Sequence, residues 1–487
     1  MSKNDKTTRL APDLEISKIV TGLWQIADME RDDNALDLEQ TAQHMSAYAD
    51  AGLTTFDMAD HYGSAEDIAG IFTKRYVKDD NVQVLTKWVP EPGKNDKDTV
   101  REALQRSLDR LQTDSIDLLQ YHAWNYADPS YLDDLFHLQE LQEEGLIKHL
   151  GLTNFDTAHL NIVIETGIKV VSNQVSFSLL DLRAAKDMCQ LCEQKGVRIL
   201  AFGTLAGGFL TEKWLDKEEP NDNDLTTWSQ MKYKRYIDQA GGWEKYQNLL
   251  KAIKLTSEKQ KVSMANVASS YVLDQPAVGA VIIGARLGES EHIDNNQALL
   301  NFKPKQEDWY AIDSAVEALT PIPGDCGDEY RKPPFLTASG DLSHHVDEQP
   351  PPSPTKDGSH GRTLALSGTV WEDLAGLSRA VRKGNRILVS GTPATHGDQV
   401  IGGGDPAAQT HFVIDKIEGA SHSLGGQLED VVRTRIYIND IDDGEPVSRA
   451  HGQRFRHVQP ANTLVQAGLI GKDYLVEIEV EARVSGV

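Results

Sequence analysis

Eight short apolar runs recur between Ile16 and about Pro323, and longer amphipathic segments separate most of them. They are SKIVTGL, LTTFDMA, VQVLTKW, IDLLQYH, KHLGLTN, KVVSNQV, VRILAFG and AVIIGAR. In DTVREALQRSLDRLQ, Leu104, Leu108 and Leu111 fall at spacings of four and three, which places them on one face of a helix. Eight strand-helix units are the count that closes a (β/α)8 barrel, an α/β fold. Parallel strands point all their C-terminal ends to one rim, and that rim carries the active site. Asp57, Lys87, His122, Asn154, Gln174 and Arg286 each terminate a different run, so polar side chains are expected around it. The segment Thr211 to Tyr246 is long, charged and rich in Trp and Tyr, which predicts a lid or a substrate wall rather than an idle connector.

A chain of 487 residues exceeds what one hydrophobic core usually serves, so a second domain is expected. Composition shifts near Arg331: DLSHHVDEQPPPSPTKDGSHGR has a proline cluster and few apolar residues and reads as an extended linker. Beyond it, NRILVSG, VRTRIYIND and DYLVEIEVEARV read as strands and QTHFVIDKIEGASHSL as a helix, an α+β pattern. The expected division is a barrel over 1–328, a linker over 329–363 and a second domain over 364–487.

A net charge of -25 disfavours binding to nucleic acid or to an anionic membrane. No run approaches the roughly 18 apolar residues of a membrane span, and the polar N-terminus has no apolar signal core. A cytoplasmic protein acting on small molecules is expected. Cys189 and Cys192 form a CxxC within a helical pattern, but no second pair completes a zinc site, so no metal is expected.

A tyrosine with a pKa near ~10 donates a proton to a developing alkoxide only if something nearby favours the phenolate. A lysine ammonium at hydrogen-bond distance from Tyr62 would do so; Lys87 ends the next strand, and Asp57 could hold it. His122 could orient or polarise a carbonyl oxygen. Alone, each has a plainer explanation: a strand-end aspartate capping a loop, a surface lysine, a satisfied core histidine. Together on successive strand ends they point to a site. Asp60 and His61 read as loop-shaping residues, with His61 at most a pocket wall.

FDMADHYG, VLTKW, IDLLQYHAW, GLTNF, NQVSFS and VIIGAR, in this order over about residues 10 to 325, resemble the motifs of the aldo-keto reductases, NAD(P)-dependent oxidoreductases. The resemblance implies that Tyr62 is the general acid/base, tuned by Lys87 and Asp57, and that His122 orients the carbonyl. It implies that Thr153, Asn154 and Gln174 bind the nicotinamide carboxamide, while Gly22 and Trp24 border nicotinamide and substrate. LAFGTLAGGFL resembles the seventh strand and phosphate loop, so Gly203, Leu205 and Gly208 would contact the pyrophosphate, with Phe202 facing the nicotinamide. In VIIGAR and the stretch after it, Gly284, Arg286 and Asn296 fall at cofactor positions, Arg286 at the 2'-phosphate contact and Asn296 at the adenine. A guanidinium suits a phosphate dianion, so NADP(H) is favoured over NAD(H). Trp24, Trp88 and Trp124 suggest an apolar or sugar-stacking pocket.

RAVRKGNRILVSGT, QLEDVVRTRIYINDI, PANTLVQ and YLVEIEVEA resemble the RidA (YjgF) family, a chorismate mutase-like fold whose best-known members hydrolyse enamines and imines. Asn462 stands where the deaminating members have a carboxylate-gripping arginine, and Glu477 matches the site glutamate. A neutral amide cannot replace that bidentate contact, so ligand binding or a structural role is expected over imine deamination. The resemblance implies a homotrimer through this domain. Three functions stay open: a carbonyl reductase or alcohol dehydrogenase, a cofactor-binding regulatory subunit without turnover, and a bifunctional reductase plus imine hydrolase.

Overall fold

The computed structural model describes residues 6–485 apart from 31–33, 78–80, 291, 333–341, 343–344 and 346–348. Each of the eight apolar runs forms one strand: Ile19–Gly22 (β1), Thr55–Asp57 (β2), Gln83–Trp88 (β3), Ile116–His122 (β4), Ile147–Thr153 (β5), Ser172–Ser176 (β6), Arg198–Phe202 (β7) and Val278–Gly284 (β8). Every strand pairs in parallel with the next, and β8 returns to β1 to close a (β/α)8 barrel. An antiparallel hairpin, Thr7–Ala11 with Leu14–Ser17, precedes the barrel. Its Leu10, Leu14 and Ile16 bury against Val20, Leu85, Leu118, Leu200 and Ala280, inward residues of the staves. That end is therefore packed shut, and the cavity is left to the strand C-termini.

Strand alternation assigns each side chain to the barrel interior or to the helix layer. On β3, Thr86 turns out to hydrogen-bond Glu66, Lys87 turns in toward Asp57, and Trp88 turns out again against Tyr121. The expectation that Trp88 lines the substrate pocket is thus corrected: it is one residue out of phase and packs in the helix layer. Cys189 and Cys192 are buried on the helix Asp187–Lys195, where burial pushes both thiols up to about 12. The aromatic segment after β7 forms the helix Trp228–Gln239, capped by the Thr227 hydroxyl accepting from the Gln230 amide.

The second domain is a seven-stranded sheet built from Thr355–Gly358 (β9), Arg362–Ala365 (β10), Ala380–Lys383 (β11), Arg386–Pro393 (β12), Val431–Ile438 (β13), Ala461–Gln466 (β14) and Val476–Arg483 (β15). Their order is β9-β10-β11-β12-β15-β13-β14, antiparallel except for β13 and β14, which the helix Gly444–Phe455 connects as a parallel crossover. Along β15 burial alternates residue by residue, the pattern of a sheet with one covered face. The helix Pro406–Ser423 covers that face and also packs on the barrel helix Thr157–Glu165. Polar contacts cross the same seam: His159 to Asp415 at 2.9 Å, Asn161 to Asp405 at 2.9 Å, and His396 to Asp133 at 2.8 Å. Among the described residues no helix is long and apolar enough to cross a membrane.

The stretch read as an extended linker is anchored at several of its described residues. Glu329 pairs with Arg183 at 2.9 Å, Arg331 is buried in the barrel rim, and the Ser353 amide donates to Ser423 Oγ at 2.9 Å. The second sheet begins at Thr355, inside this stretch. Low apolar content reports the absence of a hydrophobic core of its own; it says nothing about hydrogen bonds to a neighbour's backbone.

Candidate active site

A cavity of about 700 Å³ opens at the C-terminal ends of the strands, and Gly22, Asp57, Tyr62, Lys87, His122 and Asn154 line its floor. Asp57 ends β2 and Lys87 lies near the end of β3; the Lys87 ammonium donates to Asp57 Oδ2 at 2.6 Å and to the Met58 carbonyl at 2.7 Å. Both side chains are 4% exposed. The other carboxylate oxygen of Asp57 accepts from Gln120 at 3.0 Å and from Gln174 at 2.8 Å. This fully bonded carboxylate fixes the lysine. Burial draws the Lys87 ammonium below its usual range, and the charge of Asp57 opposes that fall. The ammonium lies 4.9 Å from the centroid of the Tyr62 ring.

His122 ends β4, and burial, with the charge of Arg331 added, holds its imidazole well below the usual range. It is therefore neutral at physiological pH. Its Nδ1 stands 3.5 Å from Asn154 Nδ2, while its Nε2 is buried without a hydrogen-bond partner. A buried polar atom left unpaired is costly, and here two such atoms, His122 Nε2 and Asn154 Oδ1, belong to residues lining one cavity. A polar guest would satisfy both.

The expected cofactor residues divide. Thr153, Asn154, Gln174, Phe202, Gly203, Leu205, Gly208, Gly284, Arg286 and Asn296 all line the cavity. The amide donors of Gln174 are, however, turned to Asp57 and Gln120, so this side chain braces the floor. Phe202 has the Lys232 ammonium 5.2 Å from its ring centroid, and the Thr204 hydroxyl is tied to Ser269 at 3.0 Å. Gly208 has φ +91° and only open space where a Cβ would stand, and its amide donates to the Leu205 carbonyl at 2.9 Å. The unpaired polar atoms of His122 and Asn154, in a cavity of this size, fit a large polar guest such as a dinucleotide. Arg286 sits at the rim in an ion pair with Asp28, and Glu289 follows at 3.3 Å.

The substrate side is aromatic. Trp24 lies edge-on to Tyr62 with centroids 4.9 Å apart and 5.6 Å from Trp228 of the segment after β7. Trp124 lines the cavity edge-on to His122, its indole N–H donating to the Pro90 carbonyl at 2.9 Å. His61 forms part of the wall and pairs with Asp60 at 3.1 Å.

Three groups escaped the sequence reading. Tyr330, from the supposed linker, lines the cavity with its ring 5.6 Å from His122. Arg331 follows it into the rim. Asn266, in the first turn of the helix Met264–Leu273, is buried with an unpartnered Nδ2 beside the cavity. The serine cap in KVSMANV was the available signal for Asn266; nothing local marked the other two.

In the second domain Asn462 and Glu477 do not meet within one chain. Asn462 on β14 donates to Thr434 Oγ1 at 2.8 Å, whereas Glu477 on β15 registers with Tyr437, and β13 stands between them. The neighbour of Glu477 is instead Arg379, buried and donating to Gly391 O at 3.0 Å.

Comparison with known proteins agrees with both halves. The model of the aldo/keto reductase family matches residues 18–317, and that of the endoribonuclease L-PSP family matches 371–484. An uncharacterized oxidoreductase, YqkF of Bacillus subtilis, is 30% identical over 291 residues, which is 56% of this chain and 84% of that protein. The structure of a glycerol dehydrogenase from Gluconobacter oxydans is 26% identical with a TM-score of 0.55, covering 67% of this chain and 98% of its own. An uncharacterized protein of Streptomyces coelicolor is 41% identical over 117 residues, 24% of this chain and 87% of that protein. The chain belongs to the aldo/keto reductase family of nicotinamide-dependent oxidoreductases of carbonyl and alcohol groups, and it carries a RidA/L-PSP domain at its C-terminal end.

Proposed function

We propose that the chain reduces aldehyde, ketone or sugar carbonyls, or oxidises the corresponding alcohols, with Tyr62 as the general acid/base. The observation that carries this reading is the convergence of Tyr62, the Lys87–Asp57 pair and the unpartnered His122 Nε2 on one cavity. A bound nicotinamide would supply or accept the hydride. The remaining work falls to the chain. Tyr62 passes its phenolic proton to the carbonyl oxygen as negative charge develops there. The Lys87 ammonium favours the phenolate left behind, and Asp57 keeps that ammonium in place. Neutral His122 donates from Nε2 to the same oxygen, fixing its position. Asn154, with a free Oδ1, is assigned to the nicotinamide carboxamide; Gly203, Leu205 and Gly208 are assigned to the pyrophosphate.

For the cofactor we favour NADP(H), with Arg286 on the 2'-phosphate and Asn296 on the adenine. NAD(H) is a second reading, favoured by the Arg286–Asp28 ion pair, which a phosphate must displace. The second domain is assigned to assembly or small-ligand binding. Leu388, Val432 and Val465, exposed on its strands, support self-association, and the RidA resemblance makes a trimer its proposed form. Amino-acid imine deamination is disfavoured by Asn462. The three-part division into barrel, connector and second domain is kept as a proposal, with the connector of 329–363 shortened on one side by Glu329 and Arg331, which pack in the barrel, and on the other by the strand that begins at Thr355.

The test is multiple-turnover oxidation of NADPH and NADH across a panel of aldehydes, ketones and sugars. Turnover in the wild type and its loss in Tyr62→Phe are expected. Tight cofactor binding without turnover would favour a regulatory role, and full activity in Tyr62→Phe would overturn the assignment of the proton donor.

A further inference from the structure

We propose that Arg331 is a positioning residue of the reductase site and that the C-terminal domain holds it there, through a line of contacts running Asp415, His159, Tyr126, Arg331. The inference rests on the reductase reading given above, with Tyr62 as proton donor and His122 and Asn154 beside it.

Arg331 is 9% exposed, and among the described residues it forms no ion pair. Its Nε and Nη2 donate to the Ala123 carbonyl at 2.9 and 2.6 Å, and its Nη1 donates to the carbonyls of Asn154 at 2.7 Å and Gly327 at 3.1 Å. A buried guanidinium spent on main-chain oxygens is a costly way to join two loops. Its location gives the reason. Ala123 directly follows His122 at the end of β4, and Asn154 directly follows the end of β5. One side chain therefore ties together the two strand ends whose polar atoms stand unpaired in the cavity. The same positive charge helps keep His122 neutral; His61 and His345 also face that imidazole and act in the same direction.

The guanidinium lies 4.3 Å from the centroid of the Tyr126 ring, whose other contacts lead outward. Tyr126 stacks on His159, with centroids 3.5 Å apart and planes within 7°. His159 Nδ1 contacts Asp156 at 2.6 Å on the barrel side, and Nε2 contacts Asp415 at 2.9 Å on the helix Pro406–Ser423. Asp415 in turn pairs with Arg454 of the helix Gly444–Phe455. Each link is buried, so each has a single packed arrangement. The barrel side supplies only one of the two carboxylates on His159; the second domain supplies the other. A shift of this domain thus loosens the ring on which Tyr126 rests, and with it the seat of Arg331. Misplacing a reacting group by about 1 Å costs on the order of 100-fold in rate, so small movements would register.

The test uses the full chain, with Arg331→Met, Arg331→Lys and Asp415→Asn beside wild type and Tyr62→Phe. For each we would measure kcat, KM, the unfolding midpoint and, without cofactor, amide hydrogen exchange over the peptides spanning 122–128 and 153–157. Arg331→Met is expected to lower kcat roughly 10- to 100-fold and to speed exchange in both peptides, while peptides over β2 keep their wild-type rates. Asp415→Asn should produce the same pattern at smaller amplitude, and Arg331→Lys should recover part of kcat. If Arg331→Met yields no soluble protein, the other two variants decide by the same criteria. Lower unfolding midpoints with kcat within twofold of wild type and unchanged exchange would overturn the proposal, leaving Arg331 a structural staple. An active Tyr62→Phe overturns the underlying assignment instead, so the two failures are distinct.

Discussion

Lys87 and Asp57 form a buried ion pair, 2.6 Å between Nζ and Oδ2, on adjacent staves of the barrel. Removing one partner of such a pair leaves the other as an uncompensated buried charge, which costs about 3–5 kcal/mol. Asp57→Asn is therefore expected to lower the unfolding midpoint as well as kcat, and Lys87→Met to lower kcat by roughly 100- to 10,000-fold. Burial sets the Lys87 ammonium below its ordinary 10.5, so its proton leaves earlier as pH rises. Carbonyl reduction should accordingly fall on the alkaline side, and a pH profile of kcat checks it.

Arg286 cannot serve Asp28 and a 2'-phosphate equally. Asp28→Asn frees the guanidinium and is expected to lower the KM for NADPH several-fold while leaving that for NADH nearly unchanged. Arg286→Met should raise the KM for NADPH by roughly tenfold, the loss of a charge-assisted contact worth about 1.5 kcal/mol. Equal effects on both cofactors would place the 2'-phosphate elsewhere.

The domain seam should be pH-sensitive. Burial opposes the charge on His159, but Asp156 and Asp415 outweigh it and raise the imidazole to about 9 from 6.5. A group with a raised native pKa contributes stability that is complete below 6.5 and is lost as pH climbs through about 9. The full shift corresponds to on the order of 3 kcal/mol. Thermal unfolding is expected at progressively lower temperature from pH 6.5 to 9.5, and His159→Gln should flatten that slope.

Gly207 adopts φ +62°, and a Cβ there would stand 2.8 Å from the Ser229 carbonyl oxygen. Gly207→Ala must push away the start of the helix Trp228–Gln239, at a cost of about 1–3 kcal/mol. A weaker cofactor affinity with kcat less affected is expected, measured by fluorescence titration beside steady-state kinetics.

Much of the rim was legible because its signals are local. Asp57, Lys87 and His122 each close an apolar run, and a run of that kind in a βα repeat has few alternatives. Trp88 differs from Trp24 and Trp124 because it directly follows the inward Lys87 on a strand, and a strand sends neighbouring residues to opposite faces. Gln174 reached the cavity but spends its donors on Asp57, a partner 117 positions away that no motif reports. Tyr330 and Arg331 lie in a stretch whose composition reads as unstructured, and their partners are backbone carbonyls, which have no sequence signature.

The amino-acid sequence by itself determined the barrel, the second domain and the rim residues, because periodicity and strand-end chemistry act over a few residues at a time. Tertiary structure alone decided which donors remain free, how Asp28 engages Arg286, and that Asp415 reaches His159 from 256 positions away. Those outcomes depend on distances between elements far apart in the chain, and only the packing of one layer on another fixes them.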